Sequence, residues 1–505
     1  MARSPILLFA IAGVVLLLVR NLSTRIYYAR LARRHGCKPA KPLPQGERIL
    51  GFSLFKEQMK AAKEARLLPL MVQRHRDHGN TFKGAIMGRE FITTIEPENI
   101  KAILSTNFKD YKLGREDALG PLLGKGIFTS DGARWEHSRA LLRPSFTRDQ
   151  ISDLDLLETH VLHLLALIPT DGTTVDLQPL FFRLTMDSAT QFLFGESVCS
   201  LLDTEHKAGN AFATQFNFAQ SEVVKRYRLG PMRRFYRNKQ FDEACDFIRA
   251  FVGGFVDKAL AYNATFKSIQ DVEQNSSRGE KERYVFLQEL AKQTNDKETL
   301  TDEILSILMA GRDTTACLLS NTFHALARHP EVWRKLKAEV ALLEGRRPGY
   351  EELRQMKYLK YIMNESLRLY PVVAGNSRVA VRPTVLPVGG GPDGRSPILV
   401  HQNQPVSFFS YALHRRTDLF GPDAEEFKPE RWETLRPGWT CTPFSGGPRV
   451  CLGQQFALTE AGYTIVRIVQ MVGGRLESRD EHAWAEKMGL ATCSFYGVKV
   501  GFVEE

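Results

Sequence analysis

The chain has 505 residues, of which 43% are hydrophobic and 25% charged, a composition that indicates a globular protein with a large core and excludes a wholly disordered chain. Its 68 Lys and Arg residues outnumber its 57 Asp and Glu residues, and the net charge of +11 favours an acidic partner or an anionic surface. The sequence has no zinc-finger spacing, RNP pattern or long basic arm, so we expect no nucleic acid partner.

The N-terminal segment "PILLFAIAGVVLLLV" (5–19) is uncharged and almost wholly apolar. As a helix it would rise roughly 22 Å, which is short of the roughly 30 Å hydrocarbon core of a bilayer. Continuing the helix to Tyr28 closes that gap if Arg20 extends its charge to the interface. We therefore expect residues 1–28 to form one membrane anchor, and whether it spans the bilayer or lies in the interface stays open.

The charges that flank the apolar run predict its orientation. Arg3 precedes the run, and seven basic residues follow it before position 42. They are Arg20, Arg25, Arg30, Arg33, Arg34, Lys38 and Lys41. The positive-inside rule then keeps the rest of the chain in the cytosol, and we expect the endoplasmic reticulum as the membrane. A cleaved signal peptide is the alternative, but no clear A-x-A site follows the run.

The anchor is followed by a basic, proline-rich segment, 29–45, in which "KPAKPLP" predicts a stiff hinge. Residues 46–505 then read as one large domain. Strand-like segments such as "EFITTIEP" precede a mainly helical region from about 150 to 345, and short apolar runs between Val379 and Phe409 predict β-hairpins. The expected fold is mainly α with small β-sheets.

One long helix is predicted near the middle of the chain. Thr301 can cap its N-terminus, and Asp302 and Glu303 complement the positive end of the helix dipole. The helix could continue to His329, since Pro330 ends it. Such a helix, about 43 Å long, could cross the whole domain.

Two other segments could be mistaken for binding motifs. "GPLLGKG" (120–126) resembles a P-loop, but its spacing is wrong and it ends in Gly126 rather than Ser or Thr. The basic, aromatic segment "VVKRYRLGPMRRFYRNKQ" (223–240) is interpreted as a solvated loop with one face on the core. We assign neither segment a ligand.

The most informative stretch is "PFSGGPRVCLGQQ" (443–455), which places Cys451 before a predicted helix. The chain has seven cysteines and no CxxC pair, so a disulfide framework or zinc site is not expected and Cys451 acts alone. Backbone N–H groups at a helix N-terminus stabilise a thiolate. Gly446, Gly447 and Gly453 allow a flat ligand to approach the backbone, and Arg449 supplies a cation for an anionic group.

These features fit a thiolate that coordinates heme iron, whereas a lone cysteine is usually a buried structural residue. The spacing F-x-x-G-x-R-x-C-x-G favours the heme ligand. It is met by Phe444, Gly447, Arg449, Cys451 and Gly453. With this motif the sequence resembles the cytochrome P-450 family, and further matches extend the resemblance over roughly residues 45 to 500.

The resemblance implies a heme-thiolate catalytic domain over 46–505, in which heme b lies between the long central helix and the cysteine loop. Cys451 would be the axial ligand of the iron, and the other four motif residues would contact the heme. "RWEHSR" resembles the W-x-x-x-R helix of the family, so Trp135 and Arg139 would hold a heme propionate. Arg378 lies where the family often places another propionate ligand.

The segment "AGRDTTA" (310–316) matches the family's small-Gly-x-acid-Thr pattern. Asp313 and Thr314 would be the acid–alcohol pair that relays protons to dioxygen. A helix bend caused by the threonine hydroxyl is the structural alternative. The E-x-x-R pair of Glu365 and Arg368, with Arg431 from "KPERW", would form a buried charge network with a structural role.

The implied reaction is monooxygenation, in which one oxygen atom of O2 enters a hydrophobic small-molecule substrate. The chain has no evident flavin or nicotinamide module, so the resemblance implies electron delivery by a separate NADPH-dependent diflavin reductase. The basic balance of the chain suits an acidic partner of this kind.

The substrate is suggested by a narrower resemblance. "LLGKGIFTSDGARWEHSRALLRPSF" and "GGPRVCLGQQFALTEA" look like the fungal subgroup that hydroxylates long-chain alkanes and fatty acids. Ala374, Gly375 and Ser445 depart from that pattern. Tailoring of a fungal secondary metabolite with a polyketide or lipid-like chain is the alternative. An oxygen-independent isomerase or dehydratase and a non-catalytic heme binder are further alternatives from other functional classes.

Overall fold

The computed structural model describes residues 5–47, 49–147, 153–202, 207–270 and 285–504. Helices dominate it. The α-helices are Pro5–Arg34, Phe52–Lys63, Leu67–His78, Pro97–Lys101, Glu116–Leu123, Gly132–Leu142, Asp155–Leu165, Leu177–Phe194, Lys207–Arg228, Lys239–Gln270, Phe286–Gln293, Lys297–Leu326, Pro330–Ala341, Tyr350–Gln355, Lys357–Leu369, Ser410–Leu413, Thr417–Phe420 and Gln454–Val472. The predicted fold class, mainly α with small β-sheets, is confirmed.

The strands form small sheets at the edges of the helical body. They are β1 (Lys41–Pro42), β2 (Thr81–Ile86), β3 (Arg89–Thr94), β4 (Tyr111–Lys112), β5 (Val175–Asp176), β6 (Asn376–Ala380), β7 (Thr384–Gly390), β8 (Ser396–Val400), β9 (Pro405–Phe408), β10 (Arg475–Ser478), β11 (Glu486–Met488), β12 (Thr492–Ser494) and β13 (Lys499–Val503). One sheet has the order β1-β2-β3-β9-β6-β4 and a second the order β10-β13-β5. The pair β7–β8 is a hairpin within the predicted range 379–409, whereas the pair β11–β12 lies outside that range and was not predicted.

The first helix, Pro5–Arg34, passes the predicted anchor boundary at Tyr28. Its part from Ile11 to Arg34 is long and apolar enough to cross a membrane, with a mean hydropathy of 1.2 and none of it buried. Tyr28 stacks on His401 with ring centroids 4.0 Å apart. In the segment expected to be a hinge, Lys41–Pro42 pair with β2, so this part of it is held against the domain. The wider division into anchor, hinge and catalytic domain stays a prediction.

The helix Lys297–Leu326, here called the central helix, is 30 residues long and thus spans roughly 45 Å. Its predicted start is wrong, because Asp296 rather than Thr301 is the N-cap and accepts a hydrogen bond from Glu298 N at 3.2 Å. Asp296 is an equally good capping residue earlier in the chain, and Thr301 lies one turn inside the helix, donating to the Lys297 carbonyl. The helix also ends at Leu326 instead of His329.

The prediction of a loop over 223–240 is also partly wrong. The helix Lys207–Arg228 contains its first residues, and a 3-10 helix, Gly230–Phe235, follows. Val223 is fully buried while Phe235 is 81% exposed. The first half therefore keeps its helical period because its apolar residues pack on the core, which outweighs its basic composition.

Glu365 and Arg368 form the predicted buried ion pair, with both side chains 0% exposed and Arg368 Nη2 2.8 Å from Glu365 Oε1. Arg431 Nε lies 3.4 Å from the same carboxylate oxygen, and Trp432 Nε1 donates to the other oxygen at 2.9 Å. Arg368 also donates to three carbonyl groups. They belong to His414, Ala424 and Glu426. Because nearly every polar atom has a partner, removing one charge leaves the others unpaired in the core.

We predict that Glu365→Ala lowers the free energy of unfolding by about 3–5 kcal/mol, because it leaves the Arg368 charge buried without its partner. Glu243→Ala is the matched control, since Glu243 pairs with Lys239 at 3.1 Å on the surface and is expected to cost under about 1 kcal/mol. Urea unfolding of the full chain measures both changes. Equal losses for the two variants would contradict a structural role for the buried network.

Candidate active site

A cavity of about 350 Å³ separates the central helix from the loop that carries Cys451. The segments that enclose it are far apart in sequence and include β6, the helix Gly132–Leu142 and the start of the helix Gln454–Val472. Most of its lining is apolar. The apolar lining side chains include Leu119, Ile127, Phe128, Phe146, Leu193, Ile307, Leu318, Leu367, Val372, Phe408, Phe444, Phe456 and Leu490. A hydrophobic molecule is therefore the class of ligand that this cavity suits.

The cysteine loop holds Cys451 at the cavity wall. The Cys451 N–H donates to the Phe444 carbonyl at 3.0 Å, and Gly453 is the N-cap of the helix that follows. Gly447 has a φ of +65°, and a Cβ there would lie 2.0 Å from the Leu104 carbonyl oxygen. The loop thus requires glycine at 447 because it packs against another backbone segment. This reason differs from the predicted one, which was access for a flat ligand.

Burial raises the pKa of the Cys451 thiol, while a hydrogen bond from Gly453 and the charge of Arg139 lower it. The cysteine is also among the residues with accessible surface, and that surface faces the cavity. A soft metal cation would deprotonate a thiol in this position and become its ligand.

Arginine side chains concentrate on one side of the cavity. The four that line it are Arg115, Arg139, Arg378 and Arg449. Arg449 Nη2 lies 2.8 Å from Asp131 Oδ1, and Arg449 Cζ lies 4.3 Å from the centroid of the Trp135 ring. Within the described residues Arg449 is the only one of the four with an ion pair. The cluster thus carries more positive charge than its protein partners balance.

The positive charges of these arginines repel one another. Burial lowers the pKa of Arg378 to about 9, with further lowering by Arg115 and Arg449. Burial also lowers the pKa of Arg449 to about 10, and Asp131 opposes this shift. An anionic group placed among them would relieve the repulsion. The two propionates of a heme supply that kind of charge, so the donor set and the cavity fit a heme with Cys451 as its thiolate ligand.

Arg115 is a site residue that the sequence did not reveal. It lies directly before the helix Glu116–Leu123, and its Nη2 donates to Asn376 Oδ1 at 3.1 Å. The same oxygen accepts a hydrogen bond from Arg378 Nη1 at 2.7 Å. Arg115 carries no local motif, and only the long-range pairing of β6 with the rest of the sheet brings it to the cavity.

The central helix contributes the acid–alcohol pair to the opposite wall. The Thr314 hydroxyl donates to the Ala310 carbonyl at 2.5 Å, and both residues line the cavity. Asp313 lies 3.0 Å from Arg312, and burial raises the pKa of its carboxyl while the Arg312 charge opposes the rise. A Cβ at Gly311 would meet nothing within 4 Å, so the helix leaves open space here.

The structure brings the predicted site residues together around this one cavity. Those that line it are Trp135, Arg139, Asp313, Thr314, Arg378, Phe444, Arg449, Cys451 and Gly453. Gly447 does not line it and supports the cysteine loop from behind. The arrangement places a thiol, four arginine side chains and an acid–alcohol pair around one apolar space.

A family model described as Cytochrome P450 matches residues 44–480 of the chain. Relatives with assigned names match over nearly the whole length. The Cytochrome P450 monooxygenase himC of Aspergillus japonicus is 46% identical, with 97% of this chain and 89% of the relative covered. Cytochrome P450 52A13 of Debaryomyces hansenii is 43% identical, with 95% of this chain and 94% of the relative covered.

Proposed function

The chain belongs to the cytochrome P450 family, and from that membership and the cavity we propose that it hydroxylates a long aliphatic chain, an alkane or a fatty acid, at a heme bound by Cys451. Enzymes of this family are oxidoreductases that use a heme with a cysteine axial ligand. The observation that carries the proposal is the apolar cavity that joins Cys451 to the central helix.

The heme would be held by residues of three separate segments. Cys451 would bind the iron, with Phe444 and Gly453 beside it and Gly447 fixing the loop. Trp135, Arg139, Arg378 and Arg449 would hold the propionates. Arg115 joins this set because it shares the Asn376 amide oxygen with Arg378. When bound, the heme supplies the activation of dioxygen, to which the thiolate contributes electron density.

Proton delivery is assigned to Asp313 and Thr314. The Thr314 hydroxyl, which donates to the Ala310 carbonyl, keeps its own oxygen free to accept a hydrogen bond from a group in the cavity. Burial raises the pKa of the Asp313 carboxyl, and the neighbouring charge of Arg312 opposes the rise. A carboxyl with a raised pKa holds a proton more readily than an ordinary aspartic acid does, which suits it to pass a proton to the alcohol.

Electrons come from outside the chain, since members of this family use redox partner reductases with O2 and hydrophobic substrates. We assign an NADPH-dependent diflavin reductase as the partner, because the net charge of +11 suits an acidic protein surface. The exposed apolar helix at the N-terminus would anchor the enzyme in the endoplasmic reticulum membrane, with the catalytic domain in the cytosol.

The substrate follows from the cavity lining and from the resemblance to fungal alkane and fatty-acid hydroxylases. The apolar side chains that line the cavity, such as Phe128, Leu318 and Val372, can contact an unbranched apolar chain. Each methylene that enters contributes about 0.8 kcal/mol, so affinity should depend steeply on chain length.

The test is an optical titration of the purified full chain with fatty acids and with alkanes of graded length. A bound substrate changes the spin state of the heme, and we expect the affinity to rise about fourfold per methylene up to one optimal length. An alkane and a fatty acid of equal length form a matched pair that reports whether the carboxylate contributes. A heme with a normal carbonyl spectrum that responds to neither series would contradict the aliphatic substrate and favour a secondary metabolite.

We also predict that Thr314→Ala lowers the amount of product formed per NADPH by about 10²-fold, because the alcohol that passes protons into the cavity is lost. NADPH consumption and product are measured together. Thr301→Ala is the control, since Thr301 makes the same hydroxyl-to-carbonyl bond on the same helix at 2.8 Å without lining the cavity. Equal coupling in both variants would contradict the relay.

A further inference from the structure

The glycine-rich segment that resembles a P-loop binds two buried carboxylates of the central helix. The Lys125 N–H donates to Asp302 Oδ2 at 2.7 Å, and the Ile127 N–H donates to Glu303 Oε2 at 3.1 Å. Asp302 is 3% exposed and Glu303 is 1% exposed. The contact is therefore a backbone clamp formed by two neighbouring acids, and it lies next to the cavity rather than in it.

The glycines of this segment are required by its contact with the helix. Gly124 has a φ of +57°, and a Cβ there would lie 2.0 Å from Asp302 Oδ1. A Cβ at Gly126 would lie 2.5 Å from Ser306 Oγ and 2.7 Å from the Asp302 carbonyl oxygen. The pattern Gly-Lys-Gly thus allows the chain to press onto the helix surface, so any side chain at 126 would push it outward.

Asp302 also joins a third element to the clamp. Arg249, on the helix Lys239–Gln270, places its Nη2 2.7 Å from Asp302 Oδ1. The Asp302 charge is thereby balanced by one cation and one backbone N–H. Removing either partner of such a buried pair is costly because it leaves the other charge uncompensated.

Residues 124–131, here called the wall loop, connect the clamp to the cavity. The Thr129 hydroxyl donates to the Gly124 carbonyl at 2.8 Å, and the Ser130 hydroxyl donates to the Lys125 carbonyl at 2.5 Å, so the loop is internally braced. Ile127 and Phe128, between these bonds, line the cavity.

The far end of the wall loop is held by the cysteine loop. Arg449 Nη2 donates to the Ser130 carbonyl at 2.9 Å and to Asp131 Oδ1 at 2.8 Å. The loop therefore has two attachments, one on each side of the cavity. A shift at the Asp302 attachment is transmitted to Ile127 and Phe128 because the opposite end is fixed.

We propose that Asp302 and Glu303 are positioning residues that fix Ile127 and Phe128 at the cavity wall and thereby determine which carbon of the substrate is hydroxylated. The substrate part of this inference rests on the proposed function. A misplacement of about 1 Å at a reacting centre changes a rate by about 10²-fold, so a small shift of the wall loop is enough to redirect the reaction.

The clamp itself is tested by hydrogen exchange on the heme-loaded full chain, without substrate. Asp302→Ala and Glu303→Ala should each speed exchange in the peptide covering 124–130 by at least about tenfold, since each removes the oxygen that accepts a backbone N–H of that peptide. Asp296→Ala, at the cap of the same helix, is the control and should leave that peptide unchanged. Unchanged exchange in both clamp variants would overturn the clamp.

The effect on the cavity is tested with two heme ligands of different size, imidazole and 1-phenylimidazole. The ratio of their dissociation constants should change several-fold in Glu303→Ala and stay near the wild-type value in Glu303→Gln, whose amide oxygen can still accept from Ile127. Gly126→Ala displaces the wall loop by a change in the loop itself and should also change the ratio. This variant keeps both buried acids, so it tests the proposal even if the acid variants do not fold. A ratio that is constant across all variants would overturn the positioning role.

A third experiment determines which carbons of an aliphatic substrate carry the hydroxyl group in the product. Glu303→Ala and Gly126→Ala should change the ratio of terminal to internal products several-fold relative to Asp296→Ala. An unchanged ratio, despite faster exchange in the loop, would overturn control of the reacting carbon. If the wild type hydroxylates no aliphatic chain, the proposed substrate is wrong, whereas the exchange and imidazole results still decide the clamp.

Discussion

The main constraint on the site is the positive charge of the arginines that line the cavity, which the neighbouring carboxylates do not fully balance. Four arginines meet at one side of an apolar cavity, and among the described residues a single carboxylate, Asp131, is paired with them. Burying unbalanced charge is costly, so a group that brings two anionic arms into this space adds its binding energy to the stability of the fold. A heme has two anionic propionates for the arginines and an iron for Cys451. Binding of the cofactor and folding of the chain are therefore coupled.

The central helix positions several other parts of the site. Its middle presents Asp313 and Thr314 to the cavity, while its first turns hold the wall loop through Asp302 and Glu303. The wall loop then reaches Arg449 of the cysteine loop. One helix thus positions Asp313, Thr314 and the wall loop, and Arg449 ties the wall loop to the segment that carries Cys451.

Local patterns in the sequence were sufficient for the fold class, and most of the residues they selected line one cavity in the structure. The spacing of the cysteine motif indicates a heme ligand, whereas the roles of the acid–alcohol pair and of the W-x-x-x-R helix come from the resemblance to the cytochrome P450 family. Arg115 has no such motif, because its partner Asn376 lies 261 positions away. Competing caps explain the error at Thr301, since Asp296 precedes it with equal capping strength. The rejected P-loop has glycines for a reason that only the packed helix reveals.

The role of Cys451 as the heme ligand is tested most directly by the spectrum of the reduced protein with carbon monoxide, compared between the wild type and Cys451→Ala. Cysteine thiolate ligation gives the carbonyl complex a characteristic absorption band, and we predict this band in the wild type and its loss in the variant. Cys441→Ala serves as the control, because Cys441 is a buried free cysteine in the same region that does not line the cavity. A thiolate-type band that survives in Cys451→Ala would contradict the assignment on which the proposed chemistry rests.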